Sequence, residues 1–142
     1  MRPSRDSINL EICRTIAKRS DCRRGKVGCV ITKSGRIVST GYNGTIGEIK
    51  CEAVCNVLSA CQHAAHAEAN AIWSAAKEGI SIFGATLYCT TCPCYECAKA
   101  IVQVGILKVI YIEEYRDTRG KLFLIDNGII VKKYLSDEQE QA

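Results

Sequence analysis

The chain has 142 residues, 47% of them hydrophobic and 24% charged, with ten cysteines and two prolines. That length fits a single domain over 1–142, able to bury roughly two thirds of its unfolded surface, and the composition excludes a disordered or low-complexity protein. A net charge of +4 from 19 basic and 15 acidic residues is too small and too scattered to argue for a nucleic-acid surface.

From the start of the chain, Met1 to Arg14 lack the apolar core of a signal peptide, and no apolar run reaches the length that spans a bilayer. A soluble cytoplasmic protein is expected, in which the cysteines are thiols and metal ligands rather than disulfides. Ile8, Ile12 and Ile16 recur at helical spacing, predicting an amphipathic helix over Ser4–Arg19 with Ser4 or Asp6 as its cap. Before the first strand, Arg23, Arg24 and Lys26 form a dense basic cluster, which reads as a solvated loop, with phosphate binding as the alternative. Val27–Thr32 and Arg36–Tyr42 are β-rich runs around Lys33-Ser34-Gly35, an antiparallel hairpin. Gly41-Tyr42-Asn43-Gly44 then opens a long irregular stretch to Gln62.

His66–Lys77 is an alanine-rich helix stopped at Gly79. Thr86–Thr90 reads as a buried strand, Cys94–Val104 as a helix ending at Gly105, and Lys108–Ile112 as another strand. Arg119–Asn127 is a helix closed by Gly128, Ile129–Lys132 a final strand, and 136–142 a flexible tail. Strands alternating with helices imply crossover connections and a sheet covered on both faces, a three-layer α/β/α sandwich. His66 and Cys94 each begin a helix at a strand end, where open α/β sheets bind ligands. The helix dipoles there favour thiolates.

His66-Ala67-Glu68 and Pro93-Cys94-Tyr95-Glu96-Cys97 carry the chemistry. One imidazole and two thiolates bind zinc and leave the fourth position for water, which can become hydroxide near neutral pH. Glu68 need not be a ligand and is placed to move protons. A Cys-x-x-Cys with a nearby histidine also occurs in structural zinc sites and redox motifs. A closed structural site, however, wants four ligands and has no use for Glu68. The pairing of H-x-E with P-C-x-x-C resembles the signature of zinc-dependent nucleobase deaminases.

The resemblance narrows when more runs are added. Gly25-Lys26-Val27-Gly28, Gly41-Tyr42-Asn43-Gly44, His66 to Ile72, Pro93 to Lys99 and Tyr111-Ile112-Glu113-Glu114-Tyr115 look like the deoxycytidylate deaminases, in that family's order, over residues 5–132. The resemblance implies hydrolysis of dCMP to dUMP and ammonia, feeding thymidylate synthesis, and a five-stranded mixed sheet of the cytidine deaminase kind. The residues do not decide whether dCTP is also a substrate. The resemblance assigns Zn2+ to His66, Cys94 and Cys97, the proton shuttle to Glu68, and substrate contacts to Asn43 and Tyr115. For Tyr115 an ordinary packed strand-end aromatic is the alternative.

It further implies a homohexamer activated by dCTP with Mg2+ and inhibited by dTTP. Gly41, Tyr42, Asn43 and Gly44 form the turn assigned to the effector, against the plainer reading of a hairpin exit without a ligand. Relatives commonly hold a second, structural zinc, and Cys22 and Cys51 match two of its ligand positions. His63 is the candidate third ligand, with Cys61 and Cys55 competing for the fourth; buried free thiols are the alternative. Cys13, Cys29 and Cys89 read as small apolar side chains, and Cys92 competes with Cys94 for the metal, spacing favouring Cys94. Two other classes stay open: a tRNA adenosine or free-nucleoside deaminase sharing the zinc chemistry, and a non-catalytic zinc-binding interaction module.

Overall fold

Ser4 starts the first helix: in the computed structural model, which describes residues 1–51 and 61–141, its hydroxyl accepts the Ser7 N–H at 3.0 Å. This satisfies one of the donors a helix leaves open at its N-terminus. Helix α1 spans Arg5–Ala17 and buries Leu10, Cys13 and Ala17. Strands β1 (Gly28–Lys33) and β2 (Arg36–Tyr42) form the expected antiparallel hairpin, turning through Ser34 and Gly35 at φ 53° and 77°. The pairs Ile31–Ser39 and Thr32–Ile37 leave Val38 as an extra residue, a bulge in β2.

Among the described residues the further elements include β3 (Gly44–Thr45), β4 (Ala64–Ala65), α2 (Ala67–Lys77), β5 (Thr86–Thr91), α3 (Tyr95–Gln103), β6 (Lys108–Glu113), α4 (Arg119–Asp126), β7 (Ile130–Lys133) and α5 (Asp137–Gln141). The main sheet runs β2-β1-β5-β6-β7, antiparallel on the hairpin side and parallel from β5 through β7. This is the expected five-stranded mixed sheet.

Side-chain alternation along the strands divides the core in two. Cys29 and Ile31 of β1, Leu87 and Cys89 of β5 and Val109 of β6 face the layer of α2, α3 and α4, against Ala67, Ala71, Ala98, Ile101 and Leu124. Val30, Tyr88 and Ile110, the residues between them, face α1 through Leu10 and Cys13. The α2 layer lies close to the hairpin because Gly41 has no side chain: a Cβ there would fall 2.4 Å from the Ala67 carbonyl oxygen. Among the described residues no helix is long and apolar enough to cross a membrane.

Two expectations need correcting. The stretch from Gly44 to Gln62 is not irregular at its start, since Gly44–Thr45 pairs with Ala64–Ala65 and draws the base of the segment together. A two-residue ladder leaves no periodic signal in a sequence. The expected tail is instead helix α5 over Asp137–Gln141. Ser136 accepts the Gln139 N–H at its start, and the Asp137 carboxylate takes hydrogen bonds from the Ser4 and Tyr134 hydroxyls.

Candidate active site

His66 and Cys94 occupy the N-cap positions of α2 and α3, with extended backbone at ψ 158° and 173°, and neither side chain caps its own helix. Both are therefore free to point away from their helices, toward each other. Cys97 follows within the first turn of α3, and the three ligand atoms lie within 4.8 Å of one another. His66 Nδ1 is 3.3 Å from Cys94 Sγ and 3.4 Å from Cys97 Sγ, which makes Nδ1 the metal-facing nitrogen.

The three groups are electrostatically linked. Hydrogen bonds from the Cys97 thiol, then from His66, hold Cys94 down at about 4. The Cys97 thiol is pushed up because it is the donor to Cys94 and is buried, and His66 is raised by its bond to Cys94. One thiolate surrounded by protons where a cation would sit, with one nitrogen and two sulfurs converging, fits Zn2+.

The cavity beside the trio has a volume of about 130 Å³, and its walls include His66, Cys94, Glu68, Asn43, Cys92 and Tyr115. Glu68 is only 4% exposed, and its Oε1 accepts a hydrogen bond from Cys89 Sγ at 2.7 Å. The Cys97 thiol also interacts with this carboxylate, so Glu68 stands directly beside the metal position. Asn43 is fixed by the loop before β1: Oδ1 accepts the Val27 N–H at 2.8 Å and Nδ2 donates to the Gly25 carbonyl at 2.9 Å. Among the described residues, one N–H and one lone pair of its amide remain for a ligand. Tyr115 is half-buried on the cavity wall, with the Arg116 guanidinium 5.5 Å over its ring. Its loop is anchored by Glu114, which accepts from Tyr111 Oη at 2.6 Å and Lys121 Nζ at 3.1 Å.

Other expected residues fall differently. Gly41, Tyr42 and Gly44 line a neighbouring hollow rather than the catalytic cavity, and the Tyr42 carbonyl accepts from Asn70 Nδ2 at 2.7 Å. Cys92 lies on the cavity wall but outside the ligand trio. Arg23, Arg24 and Lys26 are exposed. Among the described residues, Cys22, Cys51, Cys61 and His63 are not gathered into a metal-sized group, and Cys55 lies outside those residues. Cys51 is buried, whereas His63 is exposed.

Two residues that matter here were read otherwise or passed over in the sequence. Cys89 is not a mere apolar filler, since it holds Glu68. Gly120, in the first turn of α4, lies against the ligand loop: a Cβ would fall 2.5 Å from the Pro93 oxygen and 2.6 Å from the Cys94 carbonyl carbon. A glycine inside a helix, where it costs stability relative to alanine, was the available signal.

Comparison with known proteins agrees with this geometry. The family described as the cytidine and deoxycytidylate deaminase zinc-binding region matches residues 3–113. The deoxycytidylate deaminase of Schizosaccharomyces pombe is 38% identical over 96% of this chain and 46% of its own length, and that of Saccharomyces cerevisiae 37% identical over 98% and 47%. The chain thus spans about half the length of these curated relatives. A crystal structure of the dCMP deaminase from cyanophage S-TIM5 in complex with dCMP and dUMP superposes with a TM-score of 0.87 at 36% identity, covering 94% of this chain and 99% of that one.

Proposed function

The chain belongs to the zinc-binding cytidine and deoxycytidylate deaminases, and from that premise we propose that it hydrolyses dCMP to dUMP and ammonia. The observation that carries the reading is Glu68, buried at the wall of a cavity that is also lined by His66 and Cys94 of the His66, Cys94 and Cys97 trio. Support for the substrate comes from the likeness to the cyanophage enzyme, whose complex holds dCMP and dUMP.

His66, Cys94 and Cys97 would hold zinc, which would supply Lewis-acid activation of water. Glu68 takes a proton from the water that attacks C4 of the cytosine and delivers it to N3. As the C4–N4 bond breaks, Glu68 passes the remaining hydroxyl proton to N4, so the amine departs as ammonia and C4 keeps a carbonyl. One carboxylate serves both transfers. The unused amide N–H and lone pair of Asn43 and the ring of Tyr115 are assigned to the nucleotide.

Regulation extends the proposal: activation by dCTP with Mg2+, inhibition by dTTP, and a homohexamer, in a soluble cytoplasmic enzyme. Its support is the hollow of about 310 Å³ beside the catalytic cavity, to which Gly41, Tyr42 and Gly44 contribute while Asn43 faces the catalytic side. A second, structural zinc on Cys22, Cys51, His63 and Cys61 or Cys55 is proposed on ligand type alone.

The test is ammonia release across cytidine, CMP, dCMP and dCTP, with dCTP or dTTP added to the dCMP reaction and mass measured by light scattering. Turnover of dCMP above the others is expected. No release from any pyrimidine nucleotide by zinc-loaded protein would leave a non-catalytic zinc module.

A further inference from the structure

We infer that Cys89 is a positioning residue for Glu68: its thiol, fixed in the centre of the sheet, holds one carboxylate oxygen so that the other meets the reacting water and base. The inference rests on the reading of Glu68 as proton shuttle. Cys89 is 0% exposed and lies on β5 facing α2, where its Sγ reaches Glu68 Oε1 at 2.7 Å. Burial pushes the thiol well above its ordinary range, so it stays protonated and remains a donor.

The strand makes this contact more than local. β5 holds Cys89 between β1 and β6, paired with Cys29 and Tyr111, and runs directly into the Cys92-Pro93-Cys94 segment. The same strand therefore sets the orientation of Glu68 and the place of a metal ligand. A carboxylate on the first turn of a helix has several rotamers, and a shuttle that waits in the wrong one loses turnover rather than affinity. A thiol is a weak donor. It orients the carboxylate through one oxygen.

The experiment compares Cys89→Ala, Cys89→Ser and Cys13→Ala in the zinc-loaded protein, measuring kcat and KM for dCMP beside zinc content. Cys13 is as buried as Cys89 but packs on the other face of the sheet, where its thiol donates to the Tyr88 carbonyl, so it controls for packing. Cys89→Ala is expected to lower kcat on the order of tenfold, with KM and bound zinc unchanged. Cys89→Ser, which keeps a donor, recovers most of that loss, and Cys13→Ala keeps the wild-type kcat. Wild-type kcat in Cys89→Ala, equal losses in Cys13→Ala and Cys89→Ala, no recovery in Cys89→Ser, or loss of zinc with Cys89→Ala would each overturn the inference. Should Cys89→Ala not fold, Cys89→Val, closer in volume, carries the same comparison. An active Glu68→Gln would defeat the wider reading, whereas an inactive Glu68→Gln beside a fully active Cys89→Ala defeats this inference alone.

Discussion

Two sets of cysteine and histidine lie in this molecule, and they end up differently. His66, Cys94 and Cys97 converge within 4.8 Å, while Cys22, Cys51, Cys61 and His63 form no such group among the described residues. The first set sits on two helix N-termini, His66 entered from the short β3–β4 ladder and Cys94 from β5 of the main sheet, and the helix starts fix each side chain. Of the second set, Cys22 and Cys61 lie outside regular elements, Cys51 is helical, and His63 is exposed just before β4.

Removing the proton shuttle should have the largest consequence. Glu68→Gln keeps the shape and is expected to retain zinc while losing about four decades or more of dCMP turnover, since each proton transfer contributes some 10²- to 10⁴-fold. Stopped assays with metal analysis check this, and a near-normal kcat would sink the mechanism.

The second set can be made to declare itself. Should it close around a metal in solution, wild-type protein binds two zincs per chain, and Cys22→Ser and Cys51→Ser each lose one, with a large fall in Tm, because structural zinc contributes folding free energy directly. A wild-type stoichiometry of one removes the second site.

A smaller effect is expected where a backbone approach supports the first set. Gly120→Ala forces a Cβ against Pro93 and Cys94, which should cost about 1–3 kcal/mol of stability and weaken zinc binding. Unchanged zinc affinity in a competition titration would show that the ligand loop is held by other contacts.

Much of the first region was legible in the sequence. The hairpin, the strands alternating with helices and the two ligand-bearing helix starts follow from period, glycine stops and the H-x-E and P-C-x-x-C spacing, whereas their joining into one five-stranded mixed sheet was implied by the family resemblance. What could not be read was the role of a residue that depends on its neighbour across space. Cys89 looks like any small side chain in a buried strand, and only the stacking of α2 on β5 turns it toward Glu68. Gly41 was read only as part of the effector turn, yet it also lets helix α2 approach the hairpin closely, a contact no local pattern announces. Helix α5 escaped because its ties run to Ser4, at the other end of the chain.

Those ties give the smallest effect. The Asp137 carboxyl is held down at about 2, first by Ser4 and then by Tyr134. A folded pKa below the unfolded one, about 3.9, makes a contribution present above that value and lost as pH falls toward 2. The Tm difference between wild type and Asp137→Asn should be small, equal at pH 5 and pH 7, and shrinking below about pH 4. A difference that grows toward acid would contradict the assignment.

The most direct test of the catalytic centre is dCMP turnover by metal-stripped protein as zinc is added back, run in parallel on wild type and His66→Ala. The account predicts no ammonia without metal, activity rising with zinc to a sharp break in wild type, and no recovery in His66→Ala. Full turnover by the metal-free protein, or restoration of His66→Ala by zinc, would contradict it.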